Sequence, residues 1–266
     1  ITCAELGIPR SVPPELTLSV PTTHDESTTR YIVCVKYGTK YNADYVNILH
    51  DSLRRNSQVN WTFVCFTDDA MGIDPRIETR ELPDLGWDGW WYKAYLFSPQ
   101  ANLSGRVVYI DLDTIINANI DAIFDVHAEL GVLSCRSMAN ENHRTGINTS
   151  VMVWAAGALK CIYEGLEEQY QRIRAVLHKF DHWVETVAYE VTVPMNELHH
   201  EPRLQGFFVE YAEYISTNDS MGRPPTSAAI ICFPLTPKPH SLVQDVMWVQ
   251  EQWKRSAKDQ DTASYS

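Results

Sequence analysis

The sequence predicts an α/β fold, a single domain built on a mixed, mostly parallel central sheet flanked by helices. Three observations carry that prediction. Short continuous apolar runs, the mark of strands buried on both faces, alternate with segments of helical spacing. Acidic residues stand just beyond the ends of two of these runs, at Asp68, Asp69, Asp111 and Asp113, where ligands collect in parallel sheets. The 266 residues, 44% hydrophobic and 21% charged, suffice for a substantial core in an ordinary globular composition.

Residues 1–30 are rich in Pro, Thr, Ser and Glu and lack periodicity, so they read as an N-terminal arm or linker. The predicted domain covers 31–256, and 257–266 read as a C-terminal tail. "YIVCVKYG" (Tyr31 to Gly38) predicts the first buried strand. "ADYVNILHDSLRRN" follows with helical spacing, Tyr45, Ile48, Leu49 and Leu53 making one face. "WTFVCFTDD" predicts a second strand ending in paired acids, and "IETRELP" a short third. "WWYKAYLFSP" (Trp90 to Pro99) predicts a helix that Pro99 closes. "RVVYIDLD" is a buried strand, followed by strands at "GVLSCR" and "INTSVMVWAAG". "ALKCIYEGLEEQYQRIRAVL" is a long amphipathic helix. "AAIICFPL" (Ala228 to Leu235) predicts a late strand, and "SLVQDVMWVQEQWKR" a closing helix with Leu242, Val246, Val249 and Trp253 on one side.

The net charge of −12 argues against nucleic acid and against an anionic membrane surface. No run approaches the length of a membrane span, and none reads as a signal peptide. The six cysteines are scattered without a C-x-x-C pair, and Cys34, Cys65 and Cys232 sit in apolar runs as small hydrophobes. A reducing, cytoplasmic setting is the expectation; because the chain begins at Ile1 rather than Met, a longer parent with an anchor stays open. There is no G-x-G-x-x-G, no P-loop and no G-x-S-x-G elbow.

The chemistry gathers around "IDLD". Asp111 and Asp113 are two apart at the end of an apolar strand, so they are expected to aim to the same side. Two converging carboxylates repel unless a cation lies between or beside them. Lys93 precedes that strand on a helix, Lys238 follows the late strand, Asn148 opens "NTSV", and Asp181 stands before a helical segment. Singly, the lysines read as solvated, Asn148 as a turn residue and Asp181 as an N-cap. Their order along the chain is what unites them.

In that order the chain resembles the nucleotide-sugar glycosyltransferases of the GT-A fold, especially the glycogenin-like family 8 and related bacterial proteins. "WWYK", "VVYIDLD", "NTSV", "FDHW" and "CFPLTPKPH" stand where that family has its lysine helix, D-x-D strand, N-S-G-V, D-Q and H-F-x-G-x-x-K-P-W segments. The likeness spans roughly residues 31–245. Cys232 stands where the family has a metal-binding histidine, Leu235 replaces its glycine and His240 its tryptophan.

The resemblance implies a transfer from a nucleoside diphosphate sugar, with UDP favoured, to an unknown glycan, protein or small-molecule acceptor, with retention. Asp111 and Asp113 would hold Mn²⁺ or Mg²⁺. Lys93 and Lys238 would face the diphosphate, and Thr39, Tyr41 and the weaker candidate Asp68 the nucleoside. His240 could reach back to the metal. Asp181, with Asn148 and Lys93, would serve the reacting centre. A thiolate is too soft for these cations, so Cys232 is not expected as a ligand. Trp87, Trp90, Trp91 and Tyr92 offer either helix core or a stacking surface for a sugar. Two other readings share these residues: a metal-dependent sugar-phosphate nucleotidyltransferase, and a nucleotide-sugar binding relative without turnover.

Overall fold

The computed structural model describes residues 29–135, 146–190, 195–217 and 223–256. The arm expected for residues 1–30 falls almost wholly outside these, and the tail 257–266 wholly so. Among the described residues the chain forms a seven-stranded sheet and a separate three-stranded one.

The apolar runs become the centre of the large sheet. β1 (Arg30–Lys36), β2 (Thr62–Thr67), β3 (Glu78–Glu81) and β4 (Arg106–Ile110) pair in parallel, in the order β3-β2-β1-β4. Val33, Cys34, Val64, Cys65, Val107 and Val108 are fully buried, as strands covered on both faces require. Beyond β4 lie β7 (Ile147–Ala155), antiparallel to it, then β6 (Leu130–Ser134) and β8 (Met195–Glu197). The sheet is therefore parallel in its first half, as expected, and mixed beyond.

α1 (Ala43–Arg55) covers one face, with Asn42 as its N-cap accepting from the Asp44 N–H at 3.2 Å. Its buried Tyr45, Val46, Leu49 and Leu53 meet Ile32, Cys34, Phe63 and Cys65. A 3-10 helix (Gly89–Phe97), α2 (Lys160–Val176) and α3 (Phe180–Glu190) cover the other, around Phe66, Tyr109 and Trp154. β5 (Thr114–Ile116), β9 (Phe208–Glu210) and β10 (Ile230–Cys232) form the small sheet, with α4 (Tyr211–Thr217) following β9.

One expected element is specified further and two are corrected. The helix expected at Trp90 to Pro99 is present, as a 3-10 helix over Gly89–Phe97. All its residues from Trp91 to Phe97 are buried, so packing from every side, not an amphipathic stripe, sets its winding. The late strand shrinks to Ile230–Cys232 and lies in the small sheet, between β5 and β9. The closing helix breaks into α5 (Pro239–Leu242) and α6 (Met247–Gln252), because Val246 turns extended (φ −120°, ψ 103°) as it enters the core. Val246, Val249 and Trp253 still share the buried side.

Strand order places the site. β1 has β2 on one side and β4 on the other, so successive crossovers leave β1 in opposite directions. The carboxyl ends of β1 and β4 flank that switch point, where open α/β sheets bind their ligands. Tyr37 to Tyr41 follow β1, and Asp111 and Asp113 follow β4.

Candidate functional site

β4 ends at Ile110, and Asp111 to Asp113 form the turn into β5. Strand alternation is thus not what aims the two carboxylates. The turn buries Leu112 at 3% exposure and leaves an aspartate on each side of it. The 2.8 Å bond from the Asp111 N–H to the Ser150 carbonyl anchors the turn on β7.

Each carboxylate meets its own lysine. Lys93, from the 3-10 helix and only 7% exposed, places Nζ 2.8 Å from Asp111 Oδ1. The Tyr109 hydroxyl donates to the same oxygen at 2.5 Å, and Lys93 Nζ also lies 4.9 Å from the Tyr109 ring centroid. Lys238, which precedes α5, is ion-paired to Asp113 Oδ2 and donates to the Phe233 carbonyl at 2.5 Å. Tyr41 donates to Asp113 Oδ2 at 2.7 Å. Burial, then the nearby Asp113 charge, raises the Tyr41 phenol far above its usual range, so it stays a donor.

Behind this pair lies a second relay. Lys93 Nζ donates to the Thr149 carbonyl at 3.2 Å and to its hydroxyl at 3.4 Å. Asp181 Oδ1 accepts from the Thr149 N–H at 2.7 Å and from its Oγ1 at 2.9 Å. Asp181 thus joins the site through Thr149, from the first turn of α3. A bulge makes this possible. The register of β6 against β7 jumps from Met152 to Asn148 across neighbouring Val132 and Leu133, which frees the Thr149 stretch from regular pairing. Asn148 itself is 5% exposed, and its Oδ1 accepts from the Ser150 N–H at 2.9 Å, fixing the bulge.

The loop after β1 completes the site. Gly38 (φ +66°) turns the chain, and both Asp68 oxygens accept from its N–H, at 3.2 and 3.0 Å. Asp68 therefore holds the loop that presents Thr39 and Tyr41. A cavity of about 430 Å³ opens there, lined by Thr39, Lys40, Tyr45, Ile48, His240 and Trp253 among others. His240 Nδ1 pairs with the Tyr45 hydroxyl, and His240 lines this cavity.

Cys232 is fully buried on β10. Burial, with Asp111, Asp113 and Glu210 nearby, drives its thiol well above the ordinary value. Of the four aromatics before the D-x-D strand, Trp87, Trp91 and Tyr92 are core, at 3%, 2% and 0% exposure, and Trp90 alone is exposed, at 51%. Thr149 and Tyr109 had no sequence signal. One is an ordinary threonine beside a conspicuous asparagine, and the other is an aromatic inside an apolar strand.

No protein-family model and no curated protein matches the chain. Solved structures do. The glycosyltransferase GlyE of Streptococcus pneumoniae TIGR4 superposes over 80% of this chain with a TM-score of 0.54 at 14% identity. An active-site mutant of LgtC superposes over 79%, with a TM-score of 0.52 at 12% identity. The fold is that of a glycosyltransferase. The galactosyltransferase LgtC, in complex with donor and acceptor sugar analogs, gives a TM-score of 0.50 at 11% identity over 79% of the chain. The chain spans 56% of GlyE and 89% of the LgtC mutant. This glycosyltransferase fold contains no helix, among the described residues, long and apolar enough to cross a membrane.

Proposed function

We propose that the chain is a metal-dependent glycosyltransferase that takes a sugar from a nucleoside diphosphate sugar, with UDP the favoured nucleotide, and passes it to an acceptor with retention. One observation carries the reading: two carboxylates at the sheet's switch point, each matched to a lysine from a different element.

The donor set suits a hard divalent cation. Asp111 and Asp113 would supply oxygen ligands, the kind that Mn²⁺ and Mg²⁺ prefer. Among the described residues no third His, Cys, Asp or Glu joins them, and the soft sulfur of Cys232 suits these cations poorly. When bound, the metal would supply charge neutralisation at the diphosphate.

The chain's own residues do the rest. Lys238 and Lys93 turn their ammonium groups from the carboxylates to the diphosphate, so positive charge sits where the leaving group gains negative charge. The two lysine–aspartate pairs together are neutral, so they would match a doubly charged diphosphate and a divalent cation without a change in local charge. Tyr41 holds Asp113 in place and keeps its proton. Asp181 and Thr149 position Lys93. The cavity beside Thr39, Tyr45, His240 and Trp253 takes the nucleoside, its aromatic walls offering stacking and Lys40 and Thr39 polar contacts. Retention rests on the family resemblance, and a retaining transfer needs no strong base opposite the leaving group.

The test is a panel of nucleotide sugars with Mn²⁺, scored for free nucleoside diphosphate. UDP release from one UDP-sugar, abolished by EDTA and by Asp113→Asn, is the expected result. Formation of UTP and a sugar phosphate on adding pyrophosphate points instead to nucleotidyl transfer. UDP binding without turnover of any donor points to the inactive relative.

A further inference from the structure

At the start of the Gly89–Phe97 helix lies a second groove that this reading does not use. It has a volume of about 420 Å³, within the range of small-molecule sites, and is lined by Asp88, Gly89, Trp90, Trp91, Arg174 and His178. The exposed indole of Trp90 forms one flat wall. Trp91, only 2% exposed, makes a rigid floor, edge-on to Tyr170 and to Phe180 with ring centroids 5.9 and 6.3 Å apart. The polar groups are held in advance. Arg174 Nε donates to Asp88 Oδ2 at 2.6 Å, and the Asp88 N–H donates to the Tyr170 hydroxyl at 2.7 Å.

This chemistry selects its ligand. A bare indole face stacks on the C–H face of a pyranose ring, and a fixed carboxylate–guanidinium pair offers acceptors and donors to adjacent hydroxyls. Asp88 and Arg174 together are neutral, which favours an uncharged polar molecule over an anion or a cation. An aliphatic ligand would leave the ion pair unused; a phosphate would meet the Asp88 carboxylate.

The position selects its role. Trp90 is one 3-10 turn before Lys93, roughly 6 Å along the axis. Phe180, which supports the floor, is followed directly by Asp181. A saccharide seated on Trp90 is therefore held by the helix that carries Lys93, over a floor packed on the helix that carries Asp181. We infer that the groove is a saccharide subsite and that the acceptor is a glycan, which rests on the glycosyltransferase reading for its role though not for its binding.

Calorimetric titration of the full chain with lactose, maltotriose, cellotriose and chitotriose tests it. At least one should bind with a dissociation constant in the millimolar range or tighter, and Trp90→Ala should weaken that binding about tenfold or more. Arg174→Ala should weaken it too, while both variants keep their UDP affinity within about twofold, showing that they are folded. No binding by any of the four, or unchanged binding in Trp90→Ala, overturns the inference. If UDP fails to bind while a saccharide binds through Trp90, the donor reading falls and the subsite stands.

Discussion

Lys93 is nearly buried, and a buried ammonium persists only when its charge is answered. It is answered by the Asp111 carboxylate, the face of Tyr109 and two oxygens of Thr149. Lys238 is less enclosed and has the shorter list of partners, so it is the cleaner probe. Lys238→Ala should weaken UDP binding, measured with Mn²⁺ present, by roughly 1.5–3 kcal/mol, the range for a charged hydrogen bond; unchanged affinity would mean that Lys238 only braces Asp113. Cys232→Ser should leave the metal requirement as it is and lower stability by about 1–3 kcal/mol, the cost of a buried unpaired hydroxyl. A sharp change in metal preference would instead make position 232 a ligand. At this scale Asp111 and Asp113 were readable because charge stands out beside an apolar run, whereas Lys93 and Lys238 read singly as solvated and were joined to them only by their order along the chain. Thr149 was not readable, because its role depends on a bulge that only the pairing of β6 with β7 creates.

Among the elements, α1 and the central parallel strands β1, β2 and β4 follow directly from their patterns, since covered strands must be apolar throughout and a surface helix must have one apolar stripe. The Gly89–Phe97 helix has no such stripe, so its sequence reveals a helix without revealing that it is 3-10. The strands of the small sheet are three residues long, too short for any periodicity to announce them. α1 also carries a testable join between stability and site. Its N-cap Asn42 lines the cavity of about 430 Å³ proposed for the nucleoside and directly follows Tyr41. Asn42→Ala should cost about 1 kcal/mol of unfolding free energy, the usual value for a lost cap. Denaturant titration would show it, and a midpoint equal to wild type would mean that the helix start is held by tertiary contacts alone.

The whole molecule should be sensitive to mild acid. His50, on α1, and His199, beside β6 and β9, are both held below the usual imidazole value, His199 down to about 4, with burial the main cause in each. His50 faces Asp51, which opposes the shift, and also Arg76 and Arg54, which reinforce it. His199 faces Glu197, which opposes it, and His200. Folded chains thus keep these rings neutral where unfolded chains protonate them, so the unfolded state binds more protons below about pH 6.5 and stability falls as pH falls. Asp74, held low by Arg76, with Arg255 as a lesser contributor, adds to the loss at lower pH. The melting temperature should be level near neutrality and decline from about pH 6.5 towards 4. In His199→Asn, whose amide oxygen can still face the Ser134 N–H, the decline should be shallower. A flat profile in the wild type would contradict both histidine assignments.

The paired lysines and aspartates have a consequence for the order in which ligands are felt. Either ligand arriving alone must break an ion pair and leaves one partner of that pair without a counter-charge. Arriving together, each ligand takes the partner the other has released. Metal and nucleotide should therefore bind as heterotropic allies across a shared set of charges, each raising the other's affinity by the same factor, as linkage demands. UDP titrated with and without Mn²⁺, and Mn²⁺ titrated with and without UDP, should show the same enhancement, on the order of tenfold or more. Replacing Lys238 by Met should shrink that factor, because Asp113 would then be open to the metal before the nucleotide comes.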